Sequence, residues 1–348
     1  MTAPEVRRLV WIKEEGLEVP PAGDALRSRG WSVRVLGFDY ERWRKRRFGA
    51  LVRLAVSFGH AALVALRIIP ASLVVGVHYA GVFSALLRAA IPVARHAVVI
   101  NSLYRIPQAH ESSLLSRLVR RAVRSSDAVI VNSDRLADSL VAQRMVASRE
   151  RVFVLHDPLV PVIATQRSPD RYAFSGGISA RDWEGLSKVV RATCAEVRWV
   201  IACPDTSAAL FSGLDNVVVR SSIPLAQFDA LAAGASIVFV PVTGSHVAGV
   251  TLVRSAQAAG AVVVSYGGDF LHEYIASGVD GIIARDADEA VPWLLKAWRG
   301  EPELAALRAR AYARFHADQQ TWLEENARLI DFLERVEAGR AEGRCGPH

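Results

Sequence analysis

Phe174-Ser-Gly-Gly-Ile-Ser-Ala-Arg-Asp-Trp183 joins a short apolar run, Tyr172–Ser175, to a segment of helical spacing, Trp183–Val197. A strand that turns through glycines into a helix leaves backbone N–H groups open at the helix start, where negative charge is stabilised. Gly176 and Gly177 let a phosphate approach that backbone, and Arg181 adds a cation beside it. The same residues also read as a glycine turn whose Ser or Asp caps the helix. A second segment has the same form. Pro241-Val-Thr-Gly-Ser-His-Val-Ala-Gly-Val-Thr251 leaves an apolar run and feeds the helical stretch Leu252–Gly260. There Gly249, Val250 and Thr251 offer N–H groups, and Thr251 a hydroxyl. A diphosphate needs several donors converging on it, so two such turns weigh more than one.

Working outward, both halves of the chain alternate strand and helix. Short, β-branched runs predict strands at Arg8–Ile12, Ser32–Gly37, Ala71–Val77, Ala97–Ile100, Asp127–Val131 and Val152–Leu155. A proline-bearing stretch from His156 to Asp170 reads as a linker. The second series is Tyr172–Ser175, Val197–Ala202, Asn216–Val219, Ser236–Pro241, Ala261–Ser265 and Gly281–Ala284. In Ser112–Arg124 the residues Leu114, Leu115, Leu118, Val119, Ala122 and Val123 recur at helical period and predict a core-facing stripe. Arg117, Arg120, Arg121 and Arg124 fall opposite them. In the tail, Trp322, Leu323, Leu329, Ile330, Leu333 and Val336 form another apolar stripe. Alternating order twice over implies an α/β protein of two facing, Rossmann-like, doubly wound parallel sheets. Ligands then bind beyond the carboxyl ends of the strands, and closure about the linker excludes water.

Composition limits the alternatives. The chain has 348 residues, 51% of them hydrophobic and 22% charged, enough to build sizeable cores. Three cysteines, Cys194, Cys203 and Cys345, make no disulfide framework, which suits a reducing cytosol. The first residues lack an apolar signal core. The longest uncharged run, Ile68–Leu87, reads as a strand followed by a helix and not as a membrane span. Charge is uneven. Residues 1–170 carry 25 basic against 14 acidic residues (+11), and residues 171–348 carry 17 against 21 (−4). The densest basic run, Arg42–Arg47, holds Trp43, ends against Phe48 and precedes an amphipathic stretch, Ala50–Ile69. That pattern suits an anionic membrane surface, and a solvated helix face is the plainer reading. No zinc finger or aromatic RNA-binding signature supports a nucleic-acid partner.

Residues 172–285 resemble the donor domain of family 4 glycosyltransferases, which have the GT-B fold. The resemblance rests on the segment already quoted, on Ile223–Val242, on Ala248–Ser265 and on Glu273–Ile283, in matching order and spacing. The first half is similar in layout, at Val74–Gly81 and Asp127–Ser133. The resemblance implies a retaining, metal-independent transferase of the hexosyltransferase type. It moves a sugar from a nucleotide diphosphate to a hydroxyl acceptor on a lipid, glycan or natural product. The nucleotide sugar is a co-substrate, and no cofactor is implied. By position, Gly176, Gly177 and Arg181 would meet the diphosphate, with Gly249, Val250 and Thr251 opposite. Ile223 and Phe228 fall in the nucleobase region, and Gly267 and Gly268 in the loop that faces the donor sugar. The implied domains are an acceptor-binding domain at 1–158, a linker at 159–170 and a donor domain at 171–312. A helix at 313–338 packs back on the first domain, and 339–348 form a frayed tail. The expected place is the cytoplasm, peripheral at the inner face of the membrane.

This chain departs from the family pattern in three places. The usual pair of Glu residues eight positions apart is Val247 and Ser255 here. The basic pair of the glycine loop is reduced to Arg181, and Asn101 stands near the place of a strand-end His. Arg254, beside Ser255, reads as a solvated helix position. Cleft logic makes His78 and His246 candidates for substrate and donor-sugar contacts, so the catalytic candidates are Arg181, His78 and Asn101. His156 reads as a hydrogen-bonder at the linker. No His, Cys, Asp or Glu spacing suggests a metal site. Two rival readings stay open: a catalytically weak partner or binding subunit of the same fold, and a nucleotide-sugar epimerase. No Gly-x-Gly-x-x-Gly follows the first strand, which argues against a nicotinamide enzyme.

Overall fold

The computed structural model describes residues 6–14, 22–39, 48–102, 111, 113–156, 171–177, 180–243 and 248–342. Arg42–Arg47, the expected linker and His246 lie outside the described residues. The chain divides into two compact units, one of residues 1–156 with 323–348 and one of residues 157–322.

In unit 1 the order is β1 (Arg8–Glu14), α1 (Ala22–Ser28), β2 (Ser32–Phe38), α2 (Gly49–Ala65), β3 (Leu73–Val77) and α3 (Tyr79–Ala90). Then come β4 (Ala97–Asn101), α4 (Leu114–Ser125), β5 (Ala128–Val131), α5 (Asp134–Ala142) and β6 (Val152–Val154). The six strands form one parallel sheet in the order β2-β1-β3-β4-β5-β6. Every residue of β3, β4 and β5 is buried, which explains how rich they are in Val and Ile. Ser133 caps α5 by accepting from the Leu136 amide at 3.3 Å, and Ser113 caps α4 by accepting from Ser116 at 3.1 Å.

One face of this sheet is covered by α2, α3, α4 and α5. On the other, Leu9, Trp11 and Trp31 pack with Leu329, Phe332 and Leu333 of the C-terminal helix. That helix, unlike the stripe read from sequence, leaves Leu323 53% exposed and buries Phe332. It runs to Ala341, so residues 339–341 are helical.

The stripe predicted for α4 is also corrected. Ala122 and Val123 are buried, but Leu114, Leu115 and Leu118 are 67%, 55% and 37% exposed. The helix meets its neighbours mainly through its second half, so the leucines of the first turns stay in solvent beside the arginines.

At the opposite end of the strands, Arg88 pairs with the buried Asp127, whose carboxylate also accepts from the Val98 amide at 2.7 Å. The nearby His96 is buried, and burial with the Arg88 and Arg340 charges lowers its pKa to about 4. The unfolded chain therefore takes up a proton on His96 near pH 6.5 that the folded chain refuses until about pH 4. The sign follows: stability falls as pH drops through that window, by up to about 3 kcal/mol from this group. His96→Gln is expected to flatten the slope of denaturant stability between pH 6.5 and 4. An unchanged slope would assign it to other groups.

Unit 2 runs β7 (Ala173–Gly176), α6 (Trp183–Thr193), β8 (Trp199–Cys203), β9 (Val217–Ser221), α7 (Leu225–Gly234) and β10 (Ile237–Pro241). It continues through α8 (Val250–Ala258), β11 (Val262–Tyr266), β12 (Ile282–Ala284) and α9 (Ala287–Arg299) into the first half of α10 (Pro302–Ala341). Its parallel sheet has the order β12-β11-β10-β7-β8-β9. One face packs under α6 and α9 around Trp199, Phe239 and Leu294, and the other under α7 and α8 around Phe174, Val253 and Tyr274. No described helix is long and apolar enough to cross a membrane.

The sequence places Arg254 in solvent; the structure buries it on α8. Its Nη1 donates to Asp318 at 2.5 Å and to Gln257 at 3.2 Å, and its guanidinium lies 5.1 Å from the Tyr274 ring centre. Asp318 belongs to α10, where Arg314 reaches Asp280 at 2.7 Å and the Glu273 carbonyl at 2.7 Å. Asp318→Ala strands the Arg254 charge in the interior and is expected to cost unit 2 about 3–5 kcal/mol, read as a shift in its denaturant midpoint. A shift below about 1 kcal/mol would mean that Tyr274 and Gln257 hold Arg254 alone.

Candidate functional site

β7 and β10 are neighbours in the sheet, and their carboxyl ends carry the two glycine turns. Arg181 pairs by its backbone with Val242 just past β10, while Thr243 N–H donates to the Ala180 carbonyl at 2.9 Å. The chain after β7 is therefore laid along the chain after β10. This brings Gly176, Gly177, Arg181 and Gly249 together. Arg181 is 9% exposed, and its Nε donates to the Gly176 carbonyl at 2.7 Å. Gly177 has φ +127°, and a Cβ there would lie 2.9 Å from Arg181 Nε. Gly249 has φ +92°, and a Cβ there would lie 2.9 Å from Arg181 Nη1 and 2.7 Å from Val240 Cγ1. Gly249 needs glycine for conformation and for room, and Gly177 for conformation.

The Arg181 Nη1 atom is buried and has no hydrogen-bond partner among the described residues. Burial pushes the guanidinium down to about 10, still well above neutrality, so it is charged. Beside it α8 begins at Val250, with Gly249 as its N-cap and no side-chain cap on its N-terminus among the described residues. Val250 contributes only backbone, since its side chain is buried, whereas Thr251 is exposed. A cation and an open helix start thus share one corner of unit 2.

Other members of this corner are held by contacts that sequence reading missed. Asp182 caps α6 by accepting from Gly185 N at 2.9 Å, and accepts the Tyr266 hydroxyl at 2.8 Å. Burial, and then that bond, raise the Tyr266 pKa. Tyr266 directly precedes Gly267 and Gly268, so the Asp182 carboxylate ties their loop to the Arg181 loop. A Cβ on Gly267 would lie 2.0 Å from the Val242 carbonyl, which fixes that loop against β10. Phe228 is half-buried, edge-on to Phe174 at 5.3 Å, and lies against Gly176. Ile223 packs on the same cluster. Ser255 is buried on α8, and Val247 lies outside the described residues.

His78 and Asn101 belong to unit 1; His78 follows the end of β3, and Asn101 is the last residue of β4. His78 N–H donates to the Asn101 carbonyl at 3.1 Å, and Ser102 Oγ donates to Asn101 Oδ1 at 3.1 Å. His78 and Ser102 have φ of +51° and +58°, a costly conformation for both types. Burial, with the Arg53 charge, lowers the His78 pKa to about 4, so its ring is neutral near pH 7. His156, at the end of unit 1, is clasped by Glu325 of α10 through its amide at 3.1 Å and Nδ1 at 2.7 Å.

No protein-family model and no curated protein sequence matches the chain. Solved structures do. HepE of Anabaena in complex with UDP-glucose is 14% identical, over 94% of this chain and 99% of that one, with a TM-score of 0.67. A glycosyltransferase from Rickettsia africae is 11% identical, over 95% and 99%, with a TM-score of 0.66. OtsA without ligand is 12% identical, over 94% and 99%, with a TM-score of 0.62. At such identities the likeness is one of fold, and the fold is the GT-B type, with two Rossmann-like domains.

Proposed function

We propose that this protein is a retaining glycosyltransferase of family 4 type, which moves a hexosyl group from a nucleotide diphosphate to a hydroxyl acceptor without a metal. The observation that carries the proposal is the buried, charged Arg181, whose Nη1, without a partner among the described residues, lies beside the start of α8. A group that is costly to bury alone is explained by an anion that completes it. UDP binding by HepE of the same fold supports a nucleoside diphosphate as that anion.

In this reading the glycosidic C–O bond breaks and its electron pair passes to the diphosphate. Arg181 and the N–H groups of Gly249, Val250 and Thr251 stabilise the charge that develops there. Gly176 and Gly177 allow the phosphate to approach. Phe228 and Ile223 give an apolar seat to the base, and Gly267, Gly268 and His246 border the sugar. His78 and Asn101, on unit 1, contact the acceptor, whose hydroxyl oxygen bonds to the anomeric carbon on the face the diphosphate leaves while its proton passes to the departing diphosphate oxygen. The last part of the proposal is place: a cytoplasmic enzyme at the inner face of the membrane.

Calorimetric titration with UDP, GDP, dTDP and their sugar conjugates, in EDTA, tests the donor site. One diphosphate is expected to bind with a Kd in the micromolar range, about −8 kcal/mol. Binding of none to folded protein would sink the reading. The buried Ser255, where the family carries Glu, favours a second one. In that reading a partner subunit retains nucleotide binding, and measured transfer above background excludes it.

A further inference from the structure

The surface of unit 1 is sorted in a way its fold does not require. Of fourteen large hydrophobic side chains exposed among the described residues, nine lie between Phe48 and Leu118. Charge is sorted over the same stretch: residues 48–124 contain nine arginines and one acidic residue, Glu111. α2, α3 and α4 lie side by side on one face of the sheet, so these residues belong to one layer. On α2, Leu51, Ala55 and Phe58 are exposed at i, i+4 and i+7, which is a single stripe. On α4, Leu114, Leu115 and Leu118 are exposed in the first turns. Arg117, Arg121 and Arg124 are exposed beside them and enter no ion pair among the described residues.

Leucines alone would fit a protein groove, and arginines alone a nucleic acid. The interleaving of both on helices that lie flat on a sheet fits an interface with hydrocarbon beneath and negative charge above. We infer that the layer formed by α2, α3 and α4 docks on an anionic lipid bilayer. Leu51, Phe58, Leu114, Leu115 and Leu118 enter the headgroup–acyl boundary, and the arginines meet lipid phosphates. This rests on the proposed function for its purpose, since it presents unit 1 to a lipid-borne acceptor, but docking is measurable without catalysis.

The test is co-sedimentation of the full chain with phosphatidylcholine vesicles, alone or with about 30% phosphatidylglycerol, over a salt series. Partition onto the anionic vesicles is expected to be at least about tenfold higher, and to fall with salt. Leu114→Ser with Leu118→Ser, and separately Phe58→Ser, are expected to reduce it about tenfold at constant salt. Arg121→Gln with Arg124→Gln is expected to weaken it and to flatten the salt dependence. These positions lie in unit 1, so UDP affinity by calorimetry stays at the wild-type value in every variant, and an unchanged unit 1 melting transition shows that each variant is folded. Equal partition of wild type onto both vesicles, or onto neither, overturns the inference. So does wild-type partition in both apolar variants, or displacement from vesicles by an equimolar single-stranded oligonucleotide. Absence of UDP, GDP and dTDP binding with vesicle binding intact would overturn the proposed function and leave the docking surface standing.

Discussion

Arg181→Met is expected to weaken diphosphate binding about 10- to 100-fold while leaving unit 2 at least as stable as in wild type. The two halves of that expectation come from one observation. The guanidinium is buried, charged at neutral pH, and spends one donor on the Gly176 carbonyl while Nη1 has no partner among the described residues. Lowering a guanidinium from 12.5 to about 10 corresponds to about 3 kcal/mol of folding free energy given up to keep the charge. Methionine fills similar space, removes that cost, and loses one hydrogen bond of about 1 kcal/mol. The net change is a melting temperature that holds or rises, at about 2–4 °C per kcal/mol for a unit of this size. Binding responds oppositely. A charge-assisted contact to a diphosphate contributes about 1.5–3 kcal/mol, and a lost donor to developing charge reduces turnover about 10²- to 10³-fold. Calorimetry with UDP and a melting curve on the same sample measure both. A melting temperature lower by more than about 5 °C, with UDP affinity retained, would make Arg181 a structural residue and remove the proposal's main support.

The sequence exposes this site unevenly, for physical reasons. All twelve strands are legible, most of them because a parallel strand buried on both faces is a short apolar run, rich in β-branched residues. Both glycine turns are legible too: positive φ and close approach leave few residue choices at Gly177 and Gly249. What cannot be read is partnership across distance. Asp182 and Tyr266 are 84 residues apart, and Arg254 and Asp318 are 64 apart, so each polar member looks like a surface residue until the sheet forms. Periodicity fails on α4 for a related reason. It identifies an apolar stripe and carries no information on how much of the stripe a neighbouring helix covers. The residues misread on that helix are the ones that make the surface of unit 1 unusual.

Gly76→Ala is expected to be the most damaging single methyl group in unit 1, and to leave the donor corner untouched. β3 ends in a turn so tight that α3 starts two residues later, and the strand and helix touch backbone to backbone. A Cβ on Gly76 would lie 2.5 Å from both Cα and N of Gly81 and 2.8 Å from the Ala80 carbonyl carbon. A Cβ on Gly81 would lie 2.4 Å from the Gly76 carbonyl oxygen. None of these atoms belongs to a side chain that can rotate away, so the first turn of α3 must lift. Ala80, Val82 and Ala85 go with it, and they fill two clusters beneath the helix. Overpacking with displaced backbone costs about 3–5 kcal/mol. The unit 1 transition in calorimetry is expected to fall by about 6–20 °C. His78 and Asn101, whose backbones are joined across this junction, lose their arrangement, so transfer to an acceptor is expected to fail. UDP binding is expected to remain within about twofold of wild type, since every group assigned to the diphosphate belongs to unit 2. If UDP affinity falls together with unit 1 stability, the donor site depends on both units, and its assignment to the Arg181 corner alone is wrong.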